Sequence, residues 1–397
     1  MKNLLLTCGA TALFASASIT SAQAEDVKIG LLLGYTGPVE SMMVNISAAG
    51  EMALKEVSDS GQFLNGSTVT AVKADSTCVD NTAATAAAER LITSDGVKAI
   101  LGADCSGVTG AVLTNVALPN GIVMISPSAT SPGLSEAPDN GLFFRTAPSG
   151  AREGQVMSEI LMEQGVKSVA LTYTNNDYGK GLADTFESSF TAMGGTITIS
   201  AAHEDGKADY SAEIGALAAA GGDRLVVVGY VDQGGSGIVQ AALDLGAFDK
   251  FHFPAGMMGE ALETNFGAVL DGSSGQHPGT DSPGATTFAS LVGDAFDANA
   301  SFAAESYDAA ALILLSMQAA GSAESADFKS KVMGVANAPG EKIYPGELAK
   351  ALKILADGGE VDYVGASAVE FIGGGESAGN YRQVLIEGGK MTTVTYR

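Results

Sequence analysis

Short runs of aliphatic and β-branched residues alternate along the chain with longer stretches whose apolar positions recur at helical spacing. Val27–Gly34 (VKIGLLLG) precedes a helical stretch near Ser41–Ser58, and Ser67–Asp75 (STVTAVKAD) precedes Asn81–Thr93. Val97–Ala103 (VKAILGA) precedes Gly107–Leu118, and Ile122–Pro127 (IVMISP) follows. The pattern restarts after Arg145. Ser168–Thr174 precedes Lys180–Met193, Thr196–Ala202 precedes Tyr210–Ala220, Arg224–Tyr230 precedes Gly235–Leu245, and Phe251–Gly256 follows. Continuous apolar strands separated by helices predict α/β architecture, with parallel sheets covered by helices on both faces. Two successive runs of this kind predict two lobes.

The third segment is less regular. Asp271–Gly284 (DGSSGQHPGTDSPG) reads as a loop by composition. Helices are expected around Ala285–Phe296 and Glu305–Ala320, then a Gly-rich end with a strand pair near Ala368–Ile372 and Gln383–Ile386. Neither lobe is closed by its own continuous segment. The chain is therefore expected to cross back to the first lobe near Gly275 and to return to the second near Asp362. This assigns 25–147 plus 275–361 to the first lobe and 148–274 plus 362–397 to the second. Several crossovers make a hinge, with a cleft between the lobes.

The 397 residues are too many for one compact core, which agrees with two domains. Residues 1–24 read as a secretory signal: Lys2 supplies the positive end, Leu4–Ile19 is largely apolar, and Ala22-Gln23-Ala24 is a small-x-small cleavage site. No later segment approaches the roughly 18 apolar residues of a membrane span. A periplasmic, monomeric protein without stable membrane insertion is the expectation. The formal net charge of −24 becomes more negative once Lys2 is removed, and such a surface repels nucleic acid. Of three cysteines, Cys8 goes with the signal, which leaves an even pair in an oxidising compartment. That suggests a Cys78–Cys105 disulfide, with two separate thiols as the alternative. Closing the intervening loop would contribute roughly 3 kcal/mol in the chain-entropy model.

Candidate chemistry concentrates where strands end. In Gly102–Leu113 (GADCSGVTGAVL), Cys105, Ser106 and Thr109 follow a strand, and Ser106 stands where a helix N-cap belongs. Helix N-termini offer unpaired N–H groups that favour an anion. The next strand ends in ISPSATSP, where Ser126, Ser128 and Thr130 crowd hydroxyls beside prolines. Two such clusters on consecutive strand ends suit a cup for a carboxylate, although a single cluster usually caps a helix. Gly375–Gly379 (GESAG) fits the esterase elbow, but no histidine follows it, since the last is His277. A hairpin turn is expected there, and no catalytic residue is assigned. His203 and His277 are expected to be solvated, and no zinc spacing connects them with His252. Asp271 and Asp281 fit no calcium loop of defined geometry. No P-loop or dinucleotide fingerprint is present, so neither a metal nor a cofactor is expected.

The blocks IGLLLGYTGP, DSTC, CSGVTGA, ISPSATSP, FFRT and NDYGKGLAD, in that order, resemble the branched-chain amino acid binding proteins of ABC importers. The likeness runs from about Val27 to Gly267 and continues less clearly through SYDAAAL. It implies a type I periplasmic binding protein fold, with two parallel-sheet lobes joined by a multi-crossover hinge. The fold would close on a small solute and deliver it to a membrane permease. It further implies that Ser106, Thr130 and the backbone at Ser128 hold a carboxylate, that Tyr178 and Tyr230 cover the solute from the second lobe, and that Cys78 bonds to Cys105. One departure matters. Where the family usually carries an acid that pairs with an α-ammonium, this chain has Ala255 and Gly256. Either Asp232 or Glu260 substitutes, or the solute lacks an amino group. Met42 stands near a place often aromatic in the family. The expected solute is a small carboxylate, with a branched-chain or other apolar amino acid leading and an amide, urea-like compound or aromatic acid behind. A ligand-sensing module of the same fold is the other reading.

Overall fold

The computed structural model describes residues 24–397. The expected signal segment and Cys8 lie outside the described residues, apart from Ala24. Five strands form the heart of the first sheet: β1 (Asp26–Leu33), β2 (Thr68–Asp75), β3 (Ala99–Gly102), β4 (Met124–Ser126) and β5 (Phe143–Pro148). They are parallel and lie in the order β2-β1-β3-β4-β5. The second sheet repeats the plan with β6 (Ser168–Thr174), β7 (Thr196–His203), β8 (Arg224–Val228), β9 (Phe251–Phe253) and β10 (Ser274–Pro278), in the order β7-β6-β8-β9-β10. The eight strands expected from periodicity are present, each followed by its helix where one was predicted.

The late segments differ from expectation. β10 lies inside the stretch read as a loop, and all five of its residues are buried between β9 and the late strand Tyr381–Glu387. Its Ser-Gly-Gln-His-Pro composition hides a central strand because the polar groups face protein neighbours rather than water. Gly275 therefore belongs to the second sheet, and the crossing comes after Pro278. A small parallel pair, β11 (Glu341–Ile343) and β12 (Val361–Tyr363), stands apart. β13 (Phe371–Ile372) and β14 (Glu376–Ser377) extend the first sheet beyond β5. β15 (Tyr381–Glu387) and β16 (Lys390–Tyr396) extend the second beyond β10. The return thus falls after Ser377 rather than near Asp362. The two segments expected to pair with one another lie in different sheets. Each finds an open sheet edge, which provides more backbone hydrogen bonds than an isolated pair could.

In both sheets the order of strands reverses beside the first strand, and in such sheets ligands bind outside the carboxyl ends at that point. Gly102 makes the reversal in the first sheet possible. Its φ is +132°, and a Cβ there would lie 2.2 Å from the carbonyl oxygen of Leu32, so no other residue lets β3 end against β1 this way.

The Ala303–Ala320 helix crosses under the first sheet and is buried from Glu305 to Gln318, packing chiefly on the Glu40–Ser60 helix. Its Asp308 pins the returning chain. The carboxylate accepts from Tyr363 Oη (2.8 Å), from the N–H of Ala366 (2.7 Å) and Ser367 (2.8 Å), and from Ser367 Oγ (2.6 Å). Asp308→Ala should cost about 3–5 kcal/mol in urea unfolding, because buried donors on three residues lose their acceptor.

One turn earlier, burial pushes the Glu305 carboxyl up to about 8, with the nearby Asp308 charge adding to the effect. The folded state therefore holds a proton that the unfolded chain releases near 4.5. This contribution to stability is fully present below about pH 4.5 and is lost as pH rises towards 8. Urea titrations of Glu305→Gln between pH 5 and 9 should show a flatter pH dependence than wild type and a variant more stable at pH 9, by about 2 kcal/mol.

Candidate functional site

The carboxyl ends of the two sheets face one another across a cavity of about 380 Å³, counted out to its mouth. After β1 come Val39, Met42, Met43 and Ile46, the apolar stripe at the start of the Glu40–Ser60 helix. Asp104, Cys105 and Ser106 follow β3, while Ser128 and Thr130 follow β4. From the second lobe, Tyr178 follows β6, Tyr230 follows β8 and Gly256 follows β9. Phe302 completes the wall.

The hydroxyl clusters are organised differently from a simple cap. Cys105, not Ser106, is the N-cap of the Ser106–Val112 helix, which continues without a break through Leu113–Ala117 to Asn120. Ser106 Oγ instead accepts from the N–H of Ser131 at 3.0 Å, tying the two strand ends together and leaving its hydroxyl proton free. Ser128 Oγ donates to the carbonyl of Asp104 at 3.0 Å. Ser126 lies underneath, donating to the Ala103 carbonyl at 2.5 Å and accepting from the N–H of Ala129. Thr109 returns its hydroxyl to the Cys105 carbonyl. Thr130 is buried in the wall, and its hydroxyl is unbonded among the described residues.

A buried arginine holds this cup from behind. Arg145 donates to the carbonyls of Ala129 (3.1 Å) and Ser131 (2.8 Å) and to Ser135 Oγ (2.6 Å), and it pairs with Glu376 at 2.6 Å. Glu376 and Ser377 form a strand with β13 before them and β15 after them, so Gly375–Gly379 is not the strand-to-helix elbow of an esterase. The Cys78–Cys105 disulfide, with a Cα–Cα distance of 5.1 Å, joins the cup to the loop after β2. Among the described residues the one candidate metal cluster is Cys78, Asp104 and Cys105, and its sulfurs are spent in that bond. Asp104 is buried, and desolvation pushes its carboxyl up against the pull of Ser76 Oγ at 2.5 Å.

Tyr178 and Tyr230 stack with ring centroids 5.2 Å apart and planes at 20°. Burial raises both phenols, so both hydroxyls stay protonated. Asp232 is not in the cavity wall, which corrects its expected role beside an ammonium. Its carboxylate accepts from the N–H of Ser41 at 2.8 Å, while its own N–H donates to the Pro38 carbonyl at 3.1 Å. It is a clasp between lobes. Asp75 holds the same loop from the other side through Thr36 Oγ1 at 2.6 Å. Glu260 lines a neighbouring chamber instead. The histidines are buried rather than solvated: His203 bonds Thr172 Oγ1 at 2.8 Å, His277 lies within β10, and burial lowers them to about 4 and about 3. The Asp271 carboxylate is taken by the N–H groups of Gly388 and Gly389, so the Asp271–Asp281 stretch is no calcium loop.

Two lobes meet over a walled cavity at their strand ends, an architecture suited to a binding protein. The sequence matches the periplasmic binding protein family over residues 26–344, and the chain belongs to that family. It is 30% identical over 224 residues to a Leu/Ile/Val-binding protein homolog of Brucella melitensis, covering 56% of this chain and 59% of that relative. Among solved structures it is similar to the leucine binding protein LivK of Thermotoga maritima, with TM-score 0.79 and 21% identity over 93% of this chain and 98% of that one. It is also similar to a Rhodopseudomonas palustris solute binding protein solved with p-hydroxybenzoic acid, with TM-score 0.73 and 18% identity over 94% and 97%. Among the described residues no helix is long and apolar enough to cross a membrane.

Asp232→Ala should weaken the binding of every solute by the same factor, about three- to tenfold for one exposed charge-assisted contact. Calorimetry on two unrelated ligands checks this. A loss confined to ligands with an amino group would return Asp232 to the binding site.

Proposed function

We propose that this chain captures a small zwitterionic solute, an apolar amino acid, between its lobes and delivers it to an ABC permease in the periplasm as a monomer. The supporting observation is the composition of the cavity wall. Hydroxyls and the free N–H groups at the start of the Ser106–Val112 helix form one end, and Met42, Met43, Ile46 and Phe302 form an adaptable apolar side. Among the described residues the wall holds no lysine, arginine or histidine, and its one carboxyl belongs to Asp104. A bare carboxylate therefore finds no counter-charge, whereas a zwitterion brings its own. In this reading the carboxylate lies at Ser106, Thr130 and the backbone of Ser128, under Tyr178 and Tyr230.

Binding is the whole task in this reading, with no bond made or broken. Solute touching both lobes stabilises the closed form, and that difference in affinity drives closure. A second reading, an aromatic acid, is favoured by the stacked tyrosines facing an apolar wall, and by the p-hydroxybenzoic acid of the Rhodopseudomonas relative.

Calorimetry after unfolding and refolding, which strips any copurified solute, tests leucine, isoleucine, valine, their 2-oxo acids, phenylalanine and benzoate. Heat is the signal of choice because the chain has no tryptophan. Amino-acid binding with silent oxo acids is expected; the reverse pattern would install the second reading. Ser106→Ala and Thr130→Ala should each weaken binding by about 1–3 kcal/mol. Unchanged affinity in both variants would mean the cup lies elsewhere.

A further inference from the structure

Seven buried side-chain atoms of the second lobe have no hydrogen-bond partner among the described residues, and four of them lie around one carboxyl: Glu153 Oε2, Gln276 Oε1, Tyr178 Oη and Tyr381 Oη. Protein interiors leave few such atoms, and these four share one neighbourhood. Glu153 Oε1 accepts from the N–H of Ala255 at 2.8 Å and from Gln276 Nε2 at 3.0 Å. Gln276 is thereby oriented with its nitrogen committed and its oxygen spare. Ala255 leads directly to Gly256 in the cavity wall, where a Cβ would come within 2.7 Å of Tyr178 Oη. The Glu153 charge acts on both Tyr178 and Tyr381.

The carboxylate and amide oxygens are unmet acceptors, and the two protonated phenols can donate to them while accepting in turn; together they suit a positively charged group rich in N–H donors. We propose that the Glu153 carboxylate is the counter-charge for the ammonium group of the bound amino acid, acting through Tyr178 at the bare backbone of Gly256. This rests on the amino-acid reading of the site. The other acids nearby are committed: Asp232 to the N–H of Ser41, and Asp104 to Ser76 Oγ. An ammonium closed into the cleft without a counter-charge would be strongly disfavoured. Glu153 is a positioning residue of the specificity site, since its charge reaches the solute through the tyrosine.

The groups around Glu153 are Tyr178, Tyr381, the N–H of Ala255, and Gln276 with the buried His252 behind it. Of the charges that act on Tyr381, Arg145 is engaged by Glu376, Arg152 by Glu159, and Glu305 is a further buried acid. No cation is paired with Glu153 among the described residues, and burial raises it to about 7. An ammonium favours the ionised form, so amino-acid affinity should fall as pH drops through 7 and uptake should release a proton.

The test is calorimetry of wild type and Glu153→Gln with leucine and its 2-oxo acid, at pH 8 and pH 6. Glu153→Gln keeps the shape of the side chain and a spare oxygen, and loses the charge. Leucine should bind the variant at least about tenfold more weakly at pH 8 while oxo-acid binding stays within about threefold. The pH dependence of leucine binding should vanish in the variant. Equal losses for both ligands would assign Glu153 a structural role and overturn the proposal, as would unchanged leucine affinity. Should the variant fail to fold, wild type decides alone, through leucine titrations in two buffers of different ionisation heat. Absence of proton release at pH 6.5 overturns the proposal. Wild type that binds oxo or aromatic acids and ignores amino acids overturns the amino-acid reading and this inference together, whereas a failure in the variant alone leaves that reading standing.

Discussion

Parallel pairing of the strands is the constraint on which the rest of this protein depends. A parallel sheet sends every connection from the carboxyl end of one strand to the amino end of the next. The loops that follow β1, β3 and β4 therefore gather on one edge of the first sheet, and those that follow β6, β8 and β9 gather on one edge of the second. Residues more than two hundred positions apart come to share one cavity without any of them specifying the others. Reversal of strand order beside β1 and β6 opens the crevice. The glycine at the end of β3 lets that strand end lie against the Leu32 carbonyl, just before the Asp104–Ser106 wall.

Polar groups at these edges must be held in place by something other than water. In the first lobe Arg145 does this, bonding two carbonyls of the Ser128–Ser131 loop from a fully buried position and drawing in Glu376 from the end of the chain. A buried guanidinium is tolerated only with nearly all its donors engaged, so the cup, β14 and the arginine stand or fall together. The disulfide adds a second restraint at Cys105. Such rigidity matters to the proposed reading, because a hydroxyl cup displaced by an ångström would recognise a carboxylate poorly.

The lobes meet through contacts of two kinds, and they do different work. Asp232 and the Pro38–Ser41 loop clasp at the rim without reaching the cavity, which favours closure whatever is inside. The stacked tyrosines and the Ser106–Thr130 cup face one another across the cavity, and in the proposed reading a solute would bridge them and make closure conditional on its presence. Such a protein needs the second kind to outweigh the first, or it would close empty. The exposed setting of the Asp232 contact, where water competes for the same donor, keeps the first kind weak.

The repeated alternation of apolar strand and helix determined the α/β class, the two lobes and the places where strands end. Local chemistry marked the strand ends too: hydroxyls and glycines cluster where a chain leaves a strand, so Ser106, Ser128 and Thr130 were legible as a group. The Met42–Ile46 stripe carried a helical period that could have been read as cavity wall. Phe302 carried no such signal, since its place follows from a left-handed turn ahead of a distant helix. β10 was illegible because period and composition describe exposure to water, and this strand meets none. Asp232 and Glu153 look alike in sequence, one acid among many. Only the tertiary structure decided that the first reaches a backbone N–H on the opposite lobe while the second is buried behind Gly256. Charge is local in the chain, but what a charge does depends on the dielectric and the partners that folding brings to it.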